Sequence, residues 1–208
     1  MVKDIIREIK KKWFQFIAIL VITALGVGFF VGIQVTGHNM RITADNYSKT
    51  SQIMDFYLSS SLGVDQIMID ELSDQLDAKV YGEISGDAFL HRDEFDHVVH
   101  AYQYNEDTSL DLSLVEGRLP SLEGEFVMDT VMAKRLGLNL EDTFTLMKSD
   151  VLQEQELVLV GTVSSSLYFN QERGQSKLGT ISGFIYTYGI ETKDDIYTGI
   201  RVIANEDA

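Results

Sequence analysis

Side chains of the types used in metal and acid–base chemistry concentrate in one short stretch. His91, Asp93, Glu94, Asp96, His97 and His100 follow closely on one another, and histidine and carboxylate are zinc-binding groups. Their spacing argues against a shared ion. In a strand, successive side chains alternate faces, so His97 and His100 point apart. The segment therefore reads as a solvated loop running into a strand, with no metal site. Ser164, Ser165 and Ser166 are candidate nucleophiles by type, but no paired base is identifiable, and they read as a loop. The chain also lacks the phosphate-cradling loop of P-loop proteins, the nucleophile elbow of α/β-hydrolases and the paired-histidine helix of zinc proteases. No catalytic, cofactor-binding or metal-binding residue emerges, and the chain is not expected to be an enzyme.

The elements that would position such residues begin with a membrane segment. Lys3, Arg7, Lys10, Lys11 and Lys12 run into Trp13–Val35, an apolar stretch with no charged residue. At 1.5 Å per residue its helix would be about 34 Å long, enough to cross a ~30 Å hydrocarbon core. Its isoleucine, leucine, valine and phenylalanine side chains each favour the bilayer centre by roughly 0.3 to 0.6 kcal/mol. A cleaved signal peptide has an apolar core of only about 7–15 residues, so an uncleaved anchor is the expectation. By the positive-inside rule the basic flank stays in the cytoplasm, and residues 36–208 lie outside the membrane. Within the span, Gly28 and Gly32 form a GxxxG face on which another membrane helix is expected to pack.

Composition bounds the remainder. The chain has 208 residues, a net charge of −15 and no cysteine. Without disulfides, the outer domain must be held by packing, which suits a bacterial surface. The acidic excess excludes nucleic-acid binding, which needs a basic patch.

Four regions are expected: a cytoplasmic amphipathic segment over 1–12, the span over 13–35, a stalk helix over 36–54, and an extracytoplasmic domain over 55–208. The stalk residues are mediocre helix formers, so packing on the domain would have to hold them. Strands are expected over Asp55–Ser60, Lys79–Ile84, His97–Tyr104, Glu125–Met128, Thr143–Met147, Glu156–Ser164, Gly183–Tyr188 and Tyr197–Ala204. Asp65 is placed to cap a helix whose Met68, Leu72 and Leu76 recur at helical spacing. Asp129 is placed to cap TVMAKRL, which Gly137 would end, with Lys134 and Arg135 in the last turn. Asn170–Gly179 reads as an exposed loop. Helices scattered among strands suggest an α+β domain.

The order of these segments resembles that of FtsX/MacB-type ABC transporter permeases. The likeness begins with the basic start, the span ending GVGFFVGIQVT, the polar NMRITADNY and a Gly63-Val64-Asp65 turn. It is most specific in LVEGRLPSLEGEFVMDTVMAKRLGLNLEDTFTL. There Gly117, Arg118 and Pro120 resemble the family's turn, followed by Glu125, Leu136-Gly137-Leu138 and Asp142 at the matching places. The family often has glycine before that aspartate, whereas this chain has Glu141, which puts the turn type in question. Later segments resemble the large permeases of Gram-positive bacteria.

The resemblance implies a MacB-like extracytoplasmic core domain. It implies as partners a separate cytoplasmic ABC ATPase, further transmembrane helices of the same or a second permease subunit, and membrane lipid. Such permeases have several spans, so the chain is expected to be the N-terminal part of a longer protein or a shortened paralogue. The alternative is a single-pass, membrane-anchored binding or sensor domain without transport activity.

Overall fold

In a computed structural model the described residues are 11–50, 54–76, 78–106, 109, 111–168, 172–192 and 196–204. The chain divides into two units, Met1–Thr50 and Ser51–Ala208. The expected amphipathic segment lies almost wholly outside the described residues.

The first unit is built on one helix, α1 (Trp13–Thr50). Its stretch Trp13–Ala44 has a mean hydropathy of 2.7 and is long and apolar enough to cross a membrane. Two hydroxyls bond back to the helix: Thr23 Oγ1, within the apolar stretch, donates to the Ile19 carbonyl at 2.8 Å, and Thr36 Oγ1, just past it, to the Gly32 carbonyl at 2.7 Å. Such internal satisfaction is what a hydrocarbon environment demands. The helix does not stop at the end of the apolar stretch. It continues through the polar residues 36–50 without a proline or a break.

The second unit contains a small sheet and a large one. The small sheet is formed by β1 (Phe56–Val64), β2 (Ala78–Glu83) and β12 (Tyr197–Ala204), with β12 in the middle and antiparallel to both neighbours. β1 and β2 thus run parallel, joined by α2 (Gln66–Gln75). The arrangement is a split βαβ unit. Val64, Ile69, Val80, Ile200 and Val202 form its core. Asp65 caps α2 as expected, accepting from the Met68 amide at 2.8 Å. The buried face of the helix differs from the expectation. Ile69 is buried and Leu72 packs beside it, whereas Met68 and Leu76 are exposed. Residues at i and i+3 share a helix face as well as those at i and i+4, and burial on the sheet selects Ile69–Leu72.

The large sheet has the order β5 (Leu112–Gly117), β8 (Gln155–Ser165), β6 (Glu125–Asp129), β11 (Gly183–Thr187), β4 (Phe95–Gln103), β3 (Ser85–Arg92) and β7 (Thr143–Leu146). β7 also pairs with β8, which closes six of these strands into a barrel. β8 is long enough to serve two neighbours along one edge. Its first residues pair with β7 and its last with β5.

Strand alternation places one set of side chains inside the barrel, among them Leu90, Val99, Phe126, Met128, Phe144, Leu157 and Ile185. The alternate set, including Tyr102, Val127, Val163, Phe184 and Tyr186, forms a second core on the outer face. β11 is buried on both faces throughout, and its sequence GFIYT accordingly shows no polar alternation. Each large apolar side chain buried in this way contributes about 1.5–3 kcal/mol.

A short helix, α3 (Thr130–Leu136), follows β6 and packs Met132 and Ala133 into the barrel core. β9 (Gln175–Ser176) and β10 (Gly179–Thr180) form a small hairpin within the segment expected to be an exposed loop. The domain is mixed α+β, as expected.

Candidate functional site

The polar residues singled out by sequence fall into separate places. His91 Nδ1 lies 2.6 Å from Asp96 Oδ1, and His100 Nδ1 lies 2.6 Å from Asp87 Oδ1. These are two independent cross-strand pairs of the β3–β4 hairpin. Asp93 and Glu94 form its exposed turn. Among the described residues, no three histidine, cysteine or acidic side chains gather as a metal site. Ser165 and Ser166 are buried at the end of β8. Ser165 Oγ donates to Asp111 Oδ2 at 2.5 Å, and Ser166 Oγ to the Asp111 carbonyl at 3.1 Å.

Gly117, Arg118 and Pro120 come together with Glu125 in one turn between β5 and β6. Gly117 has φ +77°, and a Cβ there would lie 2.3 Å from the Val160 carbonyl oxygen. Glycine alone fits both the left-handed backbone and the close approach to β8. Beyond it, Arg118 folds back on Glu125. Nη1 donates to Oε2 at 2.7 Å while Nη2 donates to Oε1, a bidentate pair. The backbone amides of Ser121 and Leu122 donate to the same Oε2 at 2.9 and 3.2 Å. The Arg118 guanidinium, reinforced by these two amides, lowers the Glu125 carboxyl from 4.5 to about 2. Pro120, buried at the turn, fixes φ there. The arrangement orders the β5–β6 connection but presents no group poised for catalysis.

The same design continues along the chain. Asp129 Oδ1 accepts from the Val131 amide at 3.1 Å, capping α3. Gly137 ends that helix in the left-handed conformation, φ +64°. Asp142 Oδ2 accepts from the Asn139 amide at 2.9 Å and from Arg92 Nη1 at 2.7 Å. Leu136 and Leu138, on either side of Gly137, pack against the barrel core.

Two buried arginines carry no sequence signal of their own. Arg173, within the expected loop, turns inward: Nε donates to Asp129 Oδ2 at 2.8 Å and Nη2 to Oδ1 at 3.1 Å. Its guanidinium stacks over Tyr168 and Phe184. Arg201, on β12, joins the two sheets. Nε donates to Glu83 Oε2 on β2, and Nη1 donates to Asp111 Oδ1 beside β5 at 3.0 Å. Tyr186 OH donates to Asp111 Oδ2 at 3.2 Å. Burial by itself would lower the Arg201 guanidinium, but Tyr186, Glu83 and Asp111 hold it above its ordinary value. Tyr57 is pushed up to about 12, by burial first and then by the Glu83 charge. Beside this cluster lies a polar cavity of about 260 Å³ that includes Glu83, Gln103, Asn105 and Arg201 in its lining.

Gly28 and Gly32 lie on α1, one turn apart, and a Cβ at either would meet no other atom within 4 Å.

No protein-family model matches the chain, and no curated protein sequence matches it. Solved structures do. The fold is similar to those of two solved domains. One is the extracellular domain of the noncanonic ABC-type transporter YknZ from Gram-positive bacteria, with 14% identity and a TM-score of 0.46 over 73% of this chain and 83% of that one. The other is the periplasmic region of MacB from Actinobacillus actinomycetemcomitans, with 15% identity and a TM-score of 0.48 over 73% of this chain and 74% of that one.

Proposed function

We propose that this chain is the N-terminal part of an ABC transporter permease subunit, in which a separate cytoplasmic ATPase moves an extracytoplasmic domain. The observation that carries the reading is the motif series from Gly117 to Asp142. It resembles the permease family in the order of its motifs, and its residues form successive turns and caps in the folded domain. The reading gives α1 the part of a lever. An unbroken helix is stiff, at 1.5 Å per residue, whereas a glycine- or proline-rich linker would dissipate a stroke. The N-terminus is cytoplasmic, residues 36–208 are outside, and the Gly28/Gly32 face receives further permease helices.

Affinity purification of the full chain from its native membranes tests the assignment. A P-loop ATPase is expected to copurify. Its repeated absence would return the chain to the single-pass anchored class. Insertion of Gly-Gly after Thr43 tests the lever. Loss of ATP-dependent activity in the assembled system, with assembly intact, is expected, and full activity would sink the idea.

A further inference from the structure

We propose that α1 carries a binding site for the phosphate of a membrane phospholipid, formed by Gln34, His38 and Arg41 where the helix leaves the bilayer. The three residues stand four and three positions apart. At 3.6 residues per turn each step returns to nearly the same direction, so they form one face about 60° wide. Their side chains are exposed and, among the described residues, have no hydrogen-bond or ion-pair partner.

Their depth matches a headgroup. The apolar stretch ends at Val35. With that stretch filling the hydrocarbon core, Gln34 lies at its boundary, and His38 and Arg41 follow about 6 and 11 Å further along the axis. The polar layer of one leaflet is about 5–8 Å thick. Helical side chains lean toward the N-terminus, which on α1 is the direction of the span. The long Arg41 side chain therefore reaches back to the level of His38, within the layer that holds the phosphates. The lean follows from the helix itself and holds whichever leaflet is on that side.

The place of this face on the helix favours lipid over a neighbouring helix. Gly28 and Gly32 point about 130° away from it. Their face continues outward as Thr36, Asn39 and Thr43, and short uncharged side chains let another helix approach closely. On the Gln34 face the residues toward the membrane centre are Val27 and Phe30, both exposed. Bulky apolar side chains there suit acyl chains. Above them the Gln34 carboxamide can donate to a lipid ester carbonyl, and the His38 imidazole and Arg41 guanidinium can donate to the phosphate. The guanidinium's planar fork matches two phosphate oxygens. Asp45, the next charged residue along the chain, stands a turn further from the span. Arg41 is therefore the formal charge nearest the bilayer on this side.

The inference rests on α1 spanning a membrane and not on coupling to an ATPase. The probe is phosphatidylglycerol, titrated at constant pH into the full chain in maltoside micelles, which contain no phosphate. The ring resonances of His38, identified by their loss in His38→Gln, are expected to shift and to saturate at a few lipids per chain. Diacylglycerol lacks the phosphate and inorganic phosphate lacks the acyl chains, so each should leave those resonances unmoved at equal concentration. Arg41→Gln should weaken the lipid titration roughly tenfold, the usual effect of losing a charge-assisted hydrogen bond. Arg41→Thr combined with Thr43→Arg keeps the charge and nearly the depth but turns the guanidinium about 160° round the helix. It should weaken binding as much as Arg41→Gln, with circular dichroism unchanged in both. Protease protection of the chain in phosphatidylglycerol vesicles reports the span separately. An inserted span with unmoved His38 resonances overturns this inference alone, and a span that does not insert overturns the membrane reading with it. Equal responses to diacylglycerol or to inorganic phosphate, equal binding by the exchanged variant, or a shift that follows chain concentration without lipid also overturn the inference.

Discussion

Glu141 holds a backbone conformation with φ +72°, in the region that glycine enters without a steric penalty and other residues enter at a cost. Glycine would fit that geometry freely, so here the glutamate backbone bears the strain. Glu141→Gly is expected to stabilise the protein by roughly 0.5–1 kcal/mol, read as a raised urea midpoint in detergent. Glu125 supplies a pH prediction. Its folded carboxyl sits at about 2 against an ordinary 4.5. Above 4.5 the group is ionised whether the chain is folded or not. Between 4.5 and 2 the unfolded chain takes up the proton first, so stability falls as the pH drops through this window. In Glu125→Gln the fall in stability across that window should be shallower by Glu125's share, as followed by urea titrations at stepped pH. The turn residues Gly117, Arg118 and Pro120 were legible because their constraints are local. Arg201, Glu83 and Asp111 were not, because their partners lie 118 and 90 positions apart in the chain.

Short helices depend on their ends more than on their interiors. In α3 the side chain of Asp129 both caps the helix and neutralises Arg173. Asp129→Ala removes a cap worth about 1 kcal/mol and takes a bidentate carboxylate from a buried guanidinium, so the loss should exceed that of the cap alone. Asp129→Asn keeps a capping oxygen but not the charge. It should fall between wild type and alanine in urea unfolding; an alanine variant that loses no more than a cap would show that the Asp129 charge adds nothing through Arg173. Caps and strand cores were readable along the chain, since Asp65, Asp129 and Gly137 act within a few residues. β3 and β5 were not. β3 opens on Ser85-Gly86-Asp87, which looks like a turn, and most of β5 is exposed, so neither carries a clean alternating pattern. The buried face of α2 was read from Met68, Leu72 and Leu76, but the sheet beneath it chose Ile69 and Leu72 and left the other two exposed.

At the scale of the whole domain, one side chain ties the split βαβ unit to the barrel. Arg201→Met leaves Glu83 and Asp111 buried without their cation, and should cost about 3–5 kcal/mol in urea unfolding. Adding Glu83→Gln and Asp111→Asn to that variant should recover part of the loss. No recovery would mean that packing around Arg201, not its charge, joins the sheets. The sequence by itself determined the apolar span, the run of strands with their capped helices, and the motif series of the β5–β7 segment. Those features rest on hydropathy over a window and on hydrogen bonds between near neighbours. Only the tertiary structure decided that β7 returns to β8 to close a barrel, that Arg173 turns inward from a polar segment, and that β2 lies at an outer edge beside a polar cavity. Each of these depends on which distant strands share a ladder. That choice follows from burying two apolar faces at once, a condition that no local stretch of sequence expresses.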